Sequence, residues 1–157
     1  MLRRIIRAVG LTAAILMVSG RCGYAQQIAV DEVKAAVEAY HIALVSLDVT
    51  KMAPLWAHED DVMLINPRDK EVVIGWDAVQ KDWETTFAPE AELKVTQTSG
   101  PYIRVVGDTA WATGIVNSEI KLKSGQAITA LTFQTDVFEK RNGKWLIVAH
   151  VASRVPQ

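Results

Sequence analysis

Three histidines, one cysteine and eighteen acidic side chains are the reactive stock of this 157-residue chain. Their spacing limits what they can do. His58-Glu59-Asp60-Asp61 gathers imidazole and carboxylate ligands in one short run. A zinc site wants three or four convergent donors, and no second histidine stands at a companion spacing. The cluster therefore reads as a solvated turn, and no metal or cofactor is expected. Cys22 is the only thiol and falls in a segment expected to be removed. Disulfides, thiolate sites and a cysteine nucleophile are then excluded from the mature chain. No Gly-rich phosphate loop or Gly-x-Ser-x-Gly elbow occurs. The chemistry that remains is hydrogen bonding and proton transfer. One stretch poses the question sharply: Val62 to Ile65 is apolar and stops at Asn66-Pro67. Asn66 either ends a strand or stands at the mouth of a site.

The amino terminus has the order of a secretory leader. Arg3, Arg4 and Arg7 precede an apolar run from Ala8 to Val18, and Gly23-Tyr24-Ala25 offers a small-residue cleavage site. A run of that length falls short of the roughly 20 residues that span a bilayer. Residues 1–25 are thus expected to leave as a signal peptide, placing 26–157 in the periplasm or outside the cell, with no membrane attachment after cleavage. Cleavage also removes four arginines, leaving 13 basic against 18 acidic groups and a net charge of −5. Nucleic-acid binding depends on neutralising phosphates, and an acidic chain without a Lys/Arg stripe lacks the means. About 130 residues suit one domain with one core.

Residue spacing supplies the elements that would position a site. Val33, Ala36, Val37, Tyr40, Leu44 and Leu47 recur at three and four residues, which predicts a helix from Asp31 with one buried face. Tyr40 lies on that face, while His41 is expected to point elsewhere. A second helix is predicted over Val49 to Trp56. Val62 to Ile65 and Glu71 to Ile74 read as strands flanking a turn. Asp77 with Gln80 suggests a capped helix start, followed by Val79, Trp83 and Phe87 on one face and a stop at Pro89. Beyond it come strands over Glu92 to Thr98, Tyr102 to Val106, Thr109 to Lys121, Ala127 to Lys140 and Lys144 to Val155. Turns fall at Gly107-Asp108, Lys123-Ser124-Gly125 and Asn142-Gly143. Long strands twist and curl. The expected architecture is α+β: a conical fold in which a strongly curved antiparallel sheet wraps N-terminal helices and encloses a pocket. Five tryptophans (Trp56, Trp76, Trp83, Trp111, Trp145) read either as the walls of that pocket or as an aromatic-rich core.

With those elements in place, the chain resembles the nuclear transport factor 2-like superfamily, in its SnoaL-like and ketosteroid isomerase-like branch. The marks are Tyr40 followed by Ser46-Leu47-Asp48, then Leu55-Trp56-Ala57 leading into Asp60-Asp61, Ile74-Gly75 opening a helix, and Thr135-Asp136-Val137-Phe138 before Asn142-Gly143-Lys144-Trp145. In the steroid isomerases of that superfamily a helix tyrosine and a protonated aspartic acid stabilise an enolate while a second aspartate moves the proton. The resemblance puts the tyrosine on Tyr40, the donor acid on Asp136 and the proton-moving aspartate on Asn66. An amide has no basic site near neutral pH, so the familiar isomerisation is not expected. Strand alternation from Asp136 places Thr132, Gln134 and Phe138 on its face. The resemblance adds Trp111, Thr113, Ile115 and Asn117 on the neighbouring strand, and Leu146, Val148, His150 and Ala152 on the last. A bulge in either strand would reverse these assignments. His150 can take up a proton near neutrality and so replace the lost base; it also reads as a satisfied core histidine. Many relatives carry that histidine where this chain has Val151.

These residues support three functions. The first is an exported domain binding a small, mostly apolar molecule, with Trp56, Asn66, Trp83, Trp111, Asn117 and Phe138 as ligand contacts. The second is an isomerase, cyclase or dehydratase in which Tyr40 and Asp136 stabilise an oxyanion and His150 is the general base. The third is a homodimeric association module joined through the sheet's outer face.

Overall fold

The computed structural model describes residues 6–156, with side chains described from Tyr24 onward. The side chains of residues 1–23 of the expected leader, Cys22 among them, lie outside the described residues. Helix α1 covers Ile6–Val45, beginning well before the predicted start at Asp31. Its core-facing stripe is the expected one: Val33, Val37, Tyr40 and Ala43 are buried. The predicted second helix is divided. Asp48 caps α2 (Val49–Met52) by accepting from the Thr50 amide, and a 3-10 turn follows over Ala53–Leu55. Pro54 explains the division, because it has no amide hydrogen to continue the α-helical ladder.

Strands β1 (Met63–Ile65) and β2 (Val73–Ile74) form the short hairpin, and α3 runs Trp76–Phe87. The capping-box expectation at Asp77 does not hold. The N-cap is Gly75 at φ 86°, without a side-chain cap, and Asp77 sits inside the first turn. A side chain on Gly75 would be strained at that φ and would press on the Asp60 carbonyl. Four long strands complete the chain: β3 (Glu90–Val106), β4 (Thr109–Leu122), β5 (Ala127–Arg141) and β6 (Lys144–Arg154). The two strands predicted on either side of Ser99 are one bent strand, β3, whose pairing with β4 shifts register around Ser99. Gly114 accommodates that bend, since a Cβ there would meet the Ser99 carbonyl.

The sheet order is β2-β1-β6-β5-β4-β3. All pairs are antiparallel except β1 with β6, where Leu64 lies beside His150. The result is an α+β fold with a curved, unclosed sheet and helices across its concave face. Val33, Val37 and Tyr40 of α1 join Trp83 and Phe87 of α3 over Ala110, Ala112, Phe138 and Ile147 of the sheet.

Candidate functional site

Register decides which side chains reach the interior. Asp136 pairs with Ala112, Gln134 with Gly114 and Thr132 with Val116. Opposed residues in a sheet share a face. With Asp136 facing in, Ala112 and Val116 must face in and Trp111, Thr113, Ile115 and Asn117 must face out, the reverse of the expected β4 pattern. Trp111 is accordingly 38% exposed, with the Arg104 guanidinium 5.8 Å from its ring centroid. Thr113 bonds to the Thr135 hydroxyl on the same outer surface at 2.9 Å. Asn117 sits opposite exposed Leu131.

A bulge in β6 shifts part of the expected pattern. Val137 pairs with Ala149 but Phe138 with Ile147, so Val148 is the extra residue. Before it Trp145 and Ile147 face the core, in place of the expected Leu146 and Val148. After it His150 and Ala152 face in as expected, and Val151 is 40% exposed. This one-residue irregularity puts the imidazole at 150 inside.

His150 is the centre of the site. Its Nδ1 lies 2.6 Å from Asp136 Oδ1, and the Gln134 Nε2 amide donates to Asp136 Oδ2 at 2.9 Å. Both partners are buried, at 3% and 2% exposure. A carboxylate beside Nδ1 takes the proton there as a hydrogen bond, leaving Nε2 as the basic nitrogen of the neutral ring. Tyr40 packs on His150 with ring centroids 5.3 Å apart, and Trp83 completes the group at 6.3 Å from Tyr40 and 6.0 Å from His150. The Tyr40 hydroxyl and Trp83 Nε1 are buried without hydrogen-bond partners. Buried polar groups are nearly always satisfied, so these two mark where a ligand oxygen or an ordered water would belong. Burial, and secondly the Asp136 charge, hold the Tyr40 hydroxyl well above the usual phenol range. It therefore stays a neutral donor at ordinary pH.

A cavity of about 130 Å³ adjoins these rings, lined by Tyr40, Asn66, Trp83, Thr132, Gln134 and His150, with Leu44, Phe87, Leu93 and Val116 as apolar walls. Asp136 does not line it. It stands behind His150 and Gln134, accepting hydrogen bonds, so the geometry makes it the residue that positions His150 and gives no support to a role as oxyanion donor. Phe138 and Trp56 do not line the cavity either: both are in the core, at 0% and 1% exposure, and Trp56 bridges to Ile147. Of the six expected ligand contacts, Asn66 and Trp83 reach the cavity. Asn66 reaches it with its amide engaged, donating from Nδ2 to Asp82 Oδ2 at 2.7 Å, an oxygen that Arg68 also approaches at 3.1 Å.

Three neighbours were missed by sequence reasoning. His41 does not point away: its Nε2 is buried and unpartnered. Burial pushes its pKa down, opposed by the Asp136 charge and by the adjacent Gln134 side chain. Glu90 sits at the neck of the cavity with Oε2 buried and unpartnered, and burial pushes its carboxyl up, with Arg68 opposing. Asp82 receives Asn66 from a helix sixteen residues away, a contact that leaves no local sequence pattern. His58, by contrast, stacks on Trp76 at 4.2 Å and its Nε2 lies 2.9 Å from the Ala53 carbonyl. No three metal-binding side chains converge among the described residues, and none of their helices is long and apolar enough to cross a membrane.

The pattern that defines SnoaL-like domains matches residues 33–157. No curated protein matches the chain significantly. Solved structures do. A protein from Xanthomonas campestris, described as a candidate calcium/calmodulin-dependent protein kinase II association domain, is 27% identical with TM-score 0.70, over 80% of this chain and 87% of its own. A candidate dehydratase of the nuclear transport factor 2-like family from Streptomyces avermitilis is 23% identical with TM-score 0.73, over 82% and 97%. A ketosteroid isomerase-like protein from Erwinia carotovora atroseptica is 17% identical with TM-score 0.69, again over 82% and 97%.

Proposed function

The chain belongs to the SnoaL-like domain family, and from that premise we propose that it binds a small, mostly apolar molecule beside His150 and moves a proton on it. The observation that carries this reading is the buried His150–Asp136 pair opening on an apolar cavity. In this reading Nε2 of His150 takes a proton from a carbon or hydroxyl of the bound molecule. Asp136 holds the ring in the basic tautomer and balances the imidazolium that forms. Tyr40 donates to the oxygen on which charge develops, and its raised pKa keeps that proton in place. The similarity to a candidate dehydratase is consistent with acid–base chemistry of this kind, and the cavity volume with a ring the size of benzene, which a void of about 150 Å³ holds.

The test needs no known substrate. Small cyclic ketones, enones and β-hydroxy ketones incubated in heavy water would be followed by NMR for deuterium entering at the carbon next to the carbonyl. Catalysed exchange is expected for at least one class, with loss of at least about a hundredfold in His150→Ala. Exchange that persists in His150→Ala would remove His150 as the base; absence of exchange with every class would remove the catalytic reading.

We further propose that the chain is exported and self-associates. Export is supported by the Arg3-Arg4-Arg7 and Ala8–Val18 pattern; material recovered from a secreting host should begin at Gln26. Self-association is supported by the outer sheet face, where Tyr102, Phe133 and Val151 are 66%, 46% and 40% exposed; light scattering should return twice the monomer mass.

A further inference from the structure

The cavity beside His150 has an anteroom, and the two together describe a longer ligand than the inner cavity holds. The outer hollow is about 410 Å³. It shares Pro67, Arg68, Thr86, Glu90, Ile120 and Ala130 with the inner one, so the two adjoin along these residues. Its floor is apolar, formed by Ile120, Leu122, Ile128 and Ala130. At its rim stands Arg154.

Arg154 is placed by the strand that carries the base. His150, Ala152 and Arg154 alternate onto one face of β6 after the bulge, and Arg154 pairs with Thr132, a wall residue of the inner cavity. Four residue steps along the strand separate His150 from Arg154, roughly 13 Å. Arg154 is exposed and joins none of the ion pairs among the described residues. Arg68, the other cation of the rim, is already engaged by Asp82 and Asp69. Glu90 opposes an anion at the neck; burial raises its carboxyl pKa, with the Arg68 charge acting against that rise.

We propose that the ligand is an amphipathic carboxylic acid, with a compact apolar end beside His150, a chain lying over Ile120, Ile128 and Ala130, and its carboxylate on Arg154. This rests on the reading of the inner cavity as the binding site and adds the class of molecule. Planar carboxylates suit a guanidinium fork.

Phenylhexanoic acid, phenylhexanol and phenylhexylamine share one body and differ in the end group. Their binding to the wild-type protein, Arg154→Gln and Arg154→Lys would be measured by calorimetry at low and high salt. The acid is expected to bind about tenfold more tightly than the alcohol. Arg154→Gln should erase that difference without weakening the alcohol, Arg154→Lys should keep part of it, and salt should narrow it. Equal binding of acid and alcohol, or a preference that survives Arg154→Gln, overturns the assignment while leaving the inner cavity as a binding site. Tightest binding by the amine overturns it in favour of Glu90 as the selecting charge. If none of the three binds, both this proposal and the inner-cavity reading fail.

Discussion

Replacing Asp136 by asparagine isolates what the buried carboxylate does. The side chain is isosteric, so the core around Ala112 and His150 stays filled. What changes is bonding. Asp136 accepts from His150 Nδ1 at 2.6 Å and from Gln134 Nε2 at 2.9 Å. An amide offers one acceptor and one donor, so a single bond survives unless Gln134 turns over as well. Hydrogen bonds to a charged group contribute about 1.5–3 kcal/mol each and neutral ones about 1. Asp136→Asn is therefore expected to lower stability by about 1–3 kcal/mol, read as a reduced urea midpoint with unchanged slope. Domains of this size have about 5–15 kcal/mol in hand, so the variant stays folded and its activity can be measured. Loss of the charge facing the imidazolium should slow proton transfer by about 10³–10⁴-fold, seen in the deuterium exchange assay. Nitrogen-15 spectra of the wild-type histidines give an independent check. The neutral His150 ring should carry its proton on Nδ1. A ring protonated on Nε2, or an Asp136→Asn variant with unchanged stability and exchange, would refute the reasoning.

Asn66→Asp sets a second carboxylate against Asp82 Oδ2, 2.7 Å from the present amide nitrogen, with Arg68 as the nearby cation. Stability should fall by about 1–3 kcal/mol at neutral pH, and Asp82→Asn in the same chain should restore it; no recovery in the double variant would show that Asp82 is not the cause. Burial lowers the pKa of His41, so the folded state binds fewer protons than the unfolded one below the ordinary value of 6.5. Stability should thus decline as pH falls from there toward the folded value, and His41→Gln should flatten that slope in thermal melts. Glu90 has the opposite sign. Its carboxyl is raised from 4.5, so its folded state is favoured below that value and loses the advantage as pH rises through the folded pKa. Glu90→Gln should raise the melting temperature at pH 7 and have little effect at pH 4. Gly114→Ala should cost about 1–3 kcal/mol by pushing β3 off its bend at Ser99, measurable by urea denaturation.

Much of this structure is written locally. The three-and-four spacing of Val33, Val37 and Tyr40 announced the buried face of α1, and once the resemblance set Asp136 inward, alternation put Thr132 and Gln134 on the same face of β5. Such patterns are legible because a helix or strand sorts side chains by its own period. Turn residues such as Asn142-Gly143 announced the β5–β6 connection for the same reason: φ is 51° at Asn142 and 79° at Gly143.

The phase of each strand relative to its neighbour was not legible from one strand alone. Trp111 looked like a pocket wall until pairing of Ala112 with Asp136 turned it outward. His150 faces inward through a single extra residue at Val148, which no alternation rule contains. The site depends still more on distance in sequence. Asp136 joins His150 across a strand pair, and Asn66 meets Asp82 across a loop and a helix. Asn66, which the resemblance reads as the place of a carboxylate in relatives, donates to Asp82. Composition and period determined the elements and the α+β class, and the family resemblance carried by the motifs pointed to Tyr40, Asp136 and His150. Only packing decided which groups face one another, because register, bulges and long-range hydrogen bonds are settled by what the assembled sheet and helices can bury together.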